Sequence, residues 1–378
     1  MYIENTQVHL PHYWKIAVYM LLYFQNMSIP LITINLVVLN GEKYIRHCLD
    51  GILNQTYPKE LLEFNILDNG SLDNTASIIE NAKFKNQNVK FLKWDLIKSK
   101  QNLGMWPGQE ELLKYSSGKY VLAMAVDVIL DRDFIKNAVE VMEKDPRIGA
   151  LEAKIYKYEL SDLRFTIYDL PKDILDTCGF EIFKSRRVAN IGHGQKDGPE
   201  YNKEKEIFGV EGAAPFFRRG AMEDIRVDGE FCDHDFFWYG DDLDFAWRMN
   251  LFGWKQIFAP SVVAWHDRQT TKSLKKNWLD YILRVPVRRQ IPIRKRQLDW
   301  RNLRWTIIKN DYTINILRDL PIILGREISV FGYAALFEPK VLLEFPNFLR
   351  LLPKMIGKRN EIMKKATVKP EDIRRWFN

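Results

Sequence analysis

Four short apolar runs, each followed by a polar turn and then by a segment of helical periodicity, constrain the fold more than any other feature. Leu31 to Leu39 (LITINLVVL) is rich in β-branched residues. It gives way at Asn40-Gly41-Glu42 to a turn, and then to Ile45, Cys48, Leu49, Ile52 and Leu53 at helical spacing. Phe64 to Leu67 ends in Asp68-Asn69-Gly70-Ser71 before a helix near Asp73, and Val89 to Leu92 is predicted as a third strand. A loop with Asn102, Leu103, Gly104, Pro107 and Gly108 precedes a helix through Leu112 and Leu113. Tyr120 to Val126 is a fourth strand, ending in Asp127 before a helix from Asp133 to Lys144. Continuous apolar strands alternating with helices predict an α/β fold with a mostly parallel sheet flanked by helices. In such sheets ligands bind beyond the C-terminal strand ends, which is where Asp68 and Asp127 fall.

A nucleotide fold of this kind ordinarily carries G-x-G-x-x-G or G-x-x-x-x-G-K-[ST] after its first strand, and neither is present. Bound phosphates would need another partner. A divalent metal on Asp127 is one; the alternative role for Asp127 is to cap the turn toward Asp131 and Asp133. From Arg147 to Arg219 the pattern loosens, and Phe208 to Phe217 (FGVEGAAPFF) reads as a strand broken by Gly212, a point of close approach. Beyond it, Asp241, Asp242 and Asp244 stand at the start of a helix through Phe245, Trp247, Met249 and Leu251. Helix starts favour acids, so one of these is an ordinary cap. Three acids in four residues, beside Phe236, Phe237, Trp238 and Tyr239, also suit a catalytic base, because like charges near apolar rings shift pKa values. His266 closes a later strand, SVVAWH.

Charge divides the chain. Of 56 Lys+Arg and 49 Asp+Glu, the part from Arg268 onward holds 25 and 10, a balance of +15, which leaves −8 for the remainder. Three scattered cysteines imply neither a disulfide framework nor a zinc cluster, and a reducing compartment fits them. Ile16 to Phe24 is too short to span a bilayer and lacks the marks of a signal peptide; Met27 is an alternative start.

In this order the landmarks VVLNGEKYI, LDNGSLDNT, NLG, VDVIL, FGVEGAAPFFRR, YGDDLDFAWRMNLFGW and AWH resemble the family 2 glycosyltransferases of the GT-A fold, in particular their rhamnosyltransferase-like members that build cell-envelope glycans. The resemblance implies an inverting transferase that moves a sugar from a nucleotide-sugar donor to a hydroxyl of a glycan or lipid-linked glycan acceptor. It implies donor contacts from Asn40, Glu42, Asp68, Asn102 and Gly104. It implies a divalent metal, Mn2+ or Mg2+, on Asp127 and His266, and a catalytic base at Asp242 with Asp241 as the neighbouring acid. One position departs: the first acid of the family's D-x-D motif is Ala125 here.

The expected domains are an N-terminal extension over 1–30, a GT-A domain over 31–267 and a basic amphipathic helical region over 268–378. The basic region, with Trp278, Trp300 and Trp305, reads either as interfacial helices on an anionic membrane surface, on the inner face of the cell membrane, or as a helical subdomain packed on the core. No stretch of it reads as apolar enough to span, and no nucleic-acid-binding module accompanies its charge. Alternatives to the transferase are a catalytically inactive scaffold and a processive polysaccharide synthase, whose Q-x-x-R-W motif is approached only by Arg301 to Trp305 (RNLRW).

Overall fold

A computed structural model describes residues 29–163, 169–268 and 285–378. The N-terminal extension up to residue 28, with its apolar run, and the part of the basic region that holds Trp278 lie outside the described residues. In chain order the elements are β1 (Ile32–Val38), α1 (Ile45–Leu53), β2 (Leu62–Asp68), α2 (Thr75–Lys85), β3 (Lys93–Lys98), α3 (Met105–Leu113), β4 (Tyr120–Ala125), β5 (Val128–Leu130), α4 (Phe134–Met142) and β6 (Ile148–Lys157). There follow β7 (Leu175–Thr177), β8 (Phe180–Ile182), β9 (Val188–Asn190), β10 (Lys205–Glu206), β11 (Phe216–Arg218), α5 (Arg219–Asp224), α6 (Asp241–Leu251) and β12 (Lys255–His266). The C-terminal part is helical: α7 (Val285–Gln290), α8 (Ile293–Asn310), α9 (Thr313–Phe337), α10 (Phe345–Lys365) and α11 (Pro370–Arg374).

The main sheet runs β3-β2-β1-β4-β11-β6-β12-β10. Strands β3, β2, β1 and β4 are mutually parallel, as are β6 and β12, and β11 is antiparallel to both its neighbours. The all-buried pattern of β1 and β2 matches their continuous apolar runs, because both faces are covered. Helices α1, α2 and α4 cover one face through Ile45, Cys48, Ile52, Ile79, Phe134 and Ala138. Trp106 of α3, Met222 of α5, and Phe245 and Met249 of α6 cover the other.

Three expectations change. The third strand is Lys93–Lys98, not Val89 to Leu92. As a sheet edge it needs no continuous apolar run, and Phe91 instead packs on Phe64 and Trp94 beneath it. The segment Phe208 to Phe217 is a strand only from Phe216. Ahead of it, backbone amides turn to carboxylates: Glu211 N–H donates to Glu152 Oε2 at 2.6 Å and Ala213 N–H to Glu211 Oε2 at 2.9 Å. Finally, α9 runs 25 residues straight through Pro321, and is long and apolar enough to cross a membrane by length and composition. No stretch of the basic region reads as apolar enough to span, and this helix, with Pro321 inside it, changes that expectation.

The C-terminal helices share a core with the sheet domain. Leu243, Trp247 and Leu251 of α6 cluster with Ile362, Ile373 and Phe377, and Phe377 meets the Trp247 ring edge-on at 5.8 Å. Much of the basic region's charge is spent at this junction. Lys309 pairs with Asp233 at 2.6 Å and Asp244 at 2.9 Å, Lys358 with Asp233 at 2.7 Å, and Lys354 with Asp235 at 2.7 Å. The acidic stretch before α6 and the basic helices after β12 are complementary faces of one interface.

Candidate active site

The parallel strands bring their C-terminal ends to one edge, and the loops there are tied together by side chains. Asn40, with φ at 50°, donates its N–H to Ser71 Oγ at 2.9 Å and accepts from Leu72 N–H at 2.9 Å. Glu42 accepts from the amide side chain of Asn74 at 2.9 Å and from its backbone at 3.2 Å. Asp68 is buried at the end of β2 and accepts from Ser71 N–H at 2.9 Å. Asn69 donates to Asn102 Oδ1 at 3.0 Å and to Gly104 O at 3.1 Å, and Asn102 Oδ1 also accepts from Gly104 N–H at 2.8 Å. Gly104 has φ at 97°, and a Cβ there would stand 2.4 Å from Phe237 O. Only glycine lets the 102–104 loop close against the aromatic loop that precedes α6. The positions expected to contact a donor therefore lie on one continuous rim.

Asp127 follows β4 on the same rim, and antiparallel pairing of β5 with β12 sets Val128 opposite His266. His266 Nε2 lies 3.4 Å from Asp127 Oδ2, and His266 Nδ1 lies 2.8 Å from Asp176 Oδ2. Burial would lower the pKa of this imidazole, but the carboxylates of Asp127 and Asp176 on either side push it up to about 10. Asp176 is held well below the usual carboxylate range: burial opposes this, and the charges and hydrogen bonds of His266, His193 and Arg268 overcome it. A carboxylate and an imidazole nitrogen at this separation fit a divalent cation between them. A second carboxylate orienting the far ring nitrogen is the outer arrangement that metal-ligating histidines ordinarily have.

Arg268 joins this end of the site to the other. Its guanidinium donates to Asp176 Oδ1 at 2.8 Å and lies 2.9 Å from Glu211 Oε1. Glu211 stands beside Asp242 in the first turn of α6. Burial, then the charge of Glu211, raise the Asp242 carboxyl to about 7, offset by the amides of Leu243 and Gly212 and by Arg268. Gly212 is the close approach the sequence suggests, since a Cβ there would lie 3.3 Å from both Asp242 Oδ2 and Trp106 Cζ2. Asp242 is partly exposed, whereas Asp241 is only 1% exposed and neither of its carboxylate oxygens has a hydrogen-bond partner. Burial, with Asp242, Asp233 and Asp244 nearby, raises the Asp241 pKa well above the usual range and so favours its protonated form. Asp244 is turned inward as well, on Arg248 at 2.8 Å and Asn310 at 2.7 Å. The three acids of α6 thus have three environments, and only Asp242 combines access to solvent with a pKa near neutrality.

Asp176, Glu211 and Arg268 belong to this arrangement and were not singled out in the sequence. Asp176 lies in the segment where periodicity fades, and Glu211 lies inside the run that reads as a strand. Arg268 counts there only as the first charge of the basic region, although its place two residues after His266 is a signal. Nearby, Glu110, Cys232 and His234 also converge. Glu110 there is already taken by Arg226 at 2.5 Å and by the amides of Phe231 and Cys232, which makes it a tie for the loop ahead of α6.

Several known proteins are similar to this chain in sequence or in fold. The chain is 29% identical over 261 residues to the dolichyl N-acetyl-alpha-D-glucosaminyl phosphate 3-beta-D-2,3-diacetamido-2,3-dideoxy-beta-D-glucuronosyltransferase of Methanococcus voltae, covering 66% of this chain and 71% of that one. It is 24% identical over 226 residues to the poly-beta-1,6-N-acetyl-D-glucosamine synthase of Staphylococcus epidermidis; the match covers 60% of this chain and about half (47%) of the synthase. Among solved structures, the mannosyltransferase PcManGT of Pyrobaculum calidifontis, in complex with GDP-Man and Mn2+, superposes with a TM-score of 0.50 at 16% identity, covering 94% of both chains. S. aureus TarS in complex with UDP does so with a TM-score of 0.50 at 14% identity, covering 91% of both. These superpositions take in most of the C-terminal helices as well as the sheet domain. Residues 33–223, just over half of the sequence, match the family described as glycosyl transferase family 2, and it is to this family that the chain belongs.

Proposed function

We propose that the protein transfers a sugar from a nucleotide-sugar donor to a hydroxyl of a glycan or lipid-linked glycan acceptor, with inversion at the anomeric carbon. The observation that carries this reading is the separation of two carboxylates by Arg268. Asp127 is paired with a histidine, while Asp242 has a carboxyl raised to about 7 on the far side. A donor rim at Asn40, Glu42, Asp68, Asn102 and Gly104 would take the nucleoside. Asp127 Oδ2 and His266 Nε2 would hold Mn2+ or Mg2+, which when bound supplies positive charge to the leaving diphosphate. Asp242 Oδ2, beside Gly212, would accept the proton of the attacking hydroxyl, and a pKa near the working pH is what a general base requires. Gly212, with Asp242 on one side and Trp106 on the other, leaves that carboxylate room beside an apolar wall. Asp241, enclosed and without access to solvent, does not take the proton.

Relatives whose names specify N-acetylglucosamine-type sugars, and a neighbour solved with GDP-Man, support a hexose-type donor of this general class. Arg301, Asn302 and Trp305 of the RNLRW segment are buried. Arg301 holds Glu344 at 2.6 Å and the Asp235 carbonyl at 2.7 Å, and Trp305 packs on Phe236. Those residues act as struts of the aromatic loop, which favours transfer of single sugars over threading of a polymer. The decisive assay is a thermal-shift screen against nucleotide-sugars with and without Mn2+. A donor at 100 times its dissociation constant should raise stability by about 2.7 kcal/mol. Absence of a shift with every nucleotide-sugar would refute the reading.

The protein is proposed to work at a membrane surface, with α9 and α10 against the lipid. Asn315 and Asp319 of α9 face inward, while Leu317, Ile322, Ile328, Phe331 and Leu336 face outward, at up to 77% exposed, and Leu343, Phe345 and Leu349 extend the apolar face.

A further inference from the structure

Lys295, in the first turn of α8, is 7% exposed, yet among the described residues its ammonium has neither a carboxylate nor a carbonyl within bonding distance. Its contacts are aromatic: Nζ lies 3.9 Å from the centroid of the Tyr239 ring and 5.6 Å from that of Trp238. The other enclosed cations of the same helix are matched, Arg301 by Glu344 and Lys309 by Asp233 and Asp244. Asp299, one turn along, is exposed and makes no ion pair with Lys295. Aromatic faces offset only part of the desolvation of an ammonium. In this state burial lowers its pKa to about 7; the negative charge of Asp299 opposes this, and the positive charge of Arg268 adds a smaller push in the same direction as burial.

The loop beneath Lys295 is itself constrained. Phe237 and Tyr239 hold φ at 63° and 68°, values that non-glycine residues seldom take. Asn302 keeps them there by donating its side-chain amide toward the carbonyls of Phe236, Trp238 and Tyr239, at 3.1, 3.0 and 2.7 Å. Asn302 lies seven residues after Lys295, two helical turns along the same face. One helix face therefore both fixes the aromatic loop and sets upon it a cation without an acidic partner among the described residues, within electrostatic reach of the carboxylate-bound Arg268.

We propose that Lys295 binds a phosphate group of a substrate, so that the C-terminal helices complete the anion-binding part of the cleft. The inference rests on the transferase reading above, which brings phosphate to this cleft from two sources: the diphosphate of the donor, or the phosphate of a lipid-linked acceptor. Arg268 is committed to Asp176 and Glu211, so its charge is already balanced. The charge of Lys295 is not matched among the described residues, and a phosphate oxygen is a partner that its three N–H donors would take.

The test uses the full chain with Mn2+ and measures by calorimetry the binding of UDP and GDP, with uridine and guanosine as phosphate-free probes. Lys295→Met keeps the length and removes the charge, and Lys295→Arg keeps the charge. If the phosphate is the donor's, Lys295→Met binds the preferred nucleoside diphosphate at least tenfold more weakly, leaves nucleoside binding unchanged, and Lys295→Arg stays within about threefold of wild type. In wild-type protein the same nucleotide slows acylation of Lys295 by an amine reagent, read by mass spectrometry, which makes the result independent of how the variants fold. If diphosphate binding and labelling do not change, transfer is compared between a glycan on a lipid phosphate and the same glycan on a neutral aglycone. A rise in KM confined to the phosphorylated acceptor in Lys295→Met assigns the phosphate to the acceptor. Unchanged values in both arms overturn the proposal and leave the transferase reading standing. Wild-type protein that binds neither nucleoside diphosphate overturns the transferase reading, and the inference with it.

Discussion

Within four residues of one helix, the chain places a carboxyl near neutrality, a buried acid of raised pKa and a buried ion-paired acid, at Asp242, Asp241 and Asp244. Asp242→Asn is expected to lower kcat by about 10²- to 10⁴-fold while metal-dependent donor binding is kept, and Asp127→Asn to lose both. Wild-type kcat/KM should rise with pH to a plateau through an apparent pKa near 7, because the base must be ionised. A flat profile from pH 5 to 8 would exclude Asp242. Asp241 makes a separate prediction. Its folded pKa lies above the unfolded value of about 3.9, so the folded state holds a proton that the unfolded state has lost, and stability falls as pH rises above about 4. Asp241→Asn removes that dependence. Denaturant unfolding at pH 5 and pH 8 should show the variant gaining on wild type as pH rises, by up to roughly 1.4 kcal/mol per pH unit. A constant difference would mean that Asp241 is ionised. The cluster of acids was legible in the sequence as a site. Which acid is accessible was not, because that depends on Gly212, Trp106 and Glu211, brought in from distant segments.

Elements were legible in proportion to how far their own residues decide them. Strands β1, β2 and β4 lie at the centre of the sheet, and their apolar runs mark them. Strand β3 at the edge is marked only by the partner it pairs with, so its position slipped by a few residues. Helix α8 is a case where tertiary contact decides the role: RNLRW reads as a motif remnant, yet Arg301 and Asn302 are braces for the aromatic loop. Asn302→Ala removes donors to three carbonyls and leaves Phe237 and Tyr239 in unfavourable backbone regions without support. The expected cost is about 1–3 kcal/mol in stability, together with a fall in transfer rate larger than any change in donor affinity, since the rim at Asn102 to Gly104 is separately held by Asn69. Unfolding midpoints and kcat against KM for the donor would check this. Equal stability with unchanged kcat would show that the loop holds its shape unaided.

Across the whole molecule, the balance of +15 after Arg268 suggests an electrostatic attachment to anionic lipid. The fold alters that expectation in a physical way, because many of those cations are already bound to acids. Lys309, Lys354 and Lys358 meet the acidic stretch before α6, and Arg288, Arg294, Arg301 and Arg304 meet Glu338, Glu344 and Glu327. The broad exposed face of α9 is apolar, while Arg350 and Lys364 of α10 remain exposed beside it. Each Leu, Ile or Phe side chain moved from water into lipid contributes roughly 1.5–3 kcal/mol, whereas a basic residue at an anionic surface contributes about 1 kcal/mol and is screened by salt. Attachment should therefore depend more on the apolar face than on charge. In flotation with liposomes containing anionic lipid, raising NaCl from 0.1 to 0.5 M should reduce binding only a few-fold, whereas Ile328→Glu combined with Phe331→Glu should reduce it at least tenfold. Both positions are exposed, so the pair should leave the unfolding midpoint and nucleotide affinity near those of wild type. Binding abolished by salt and untouched by the pair of substitutions would return the anchor to the basic residues.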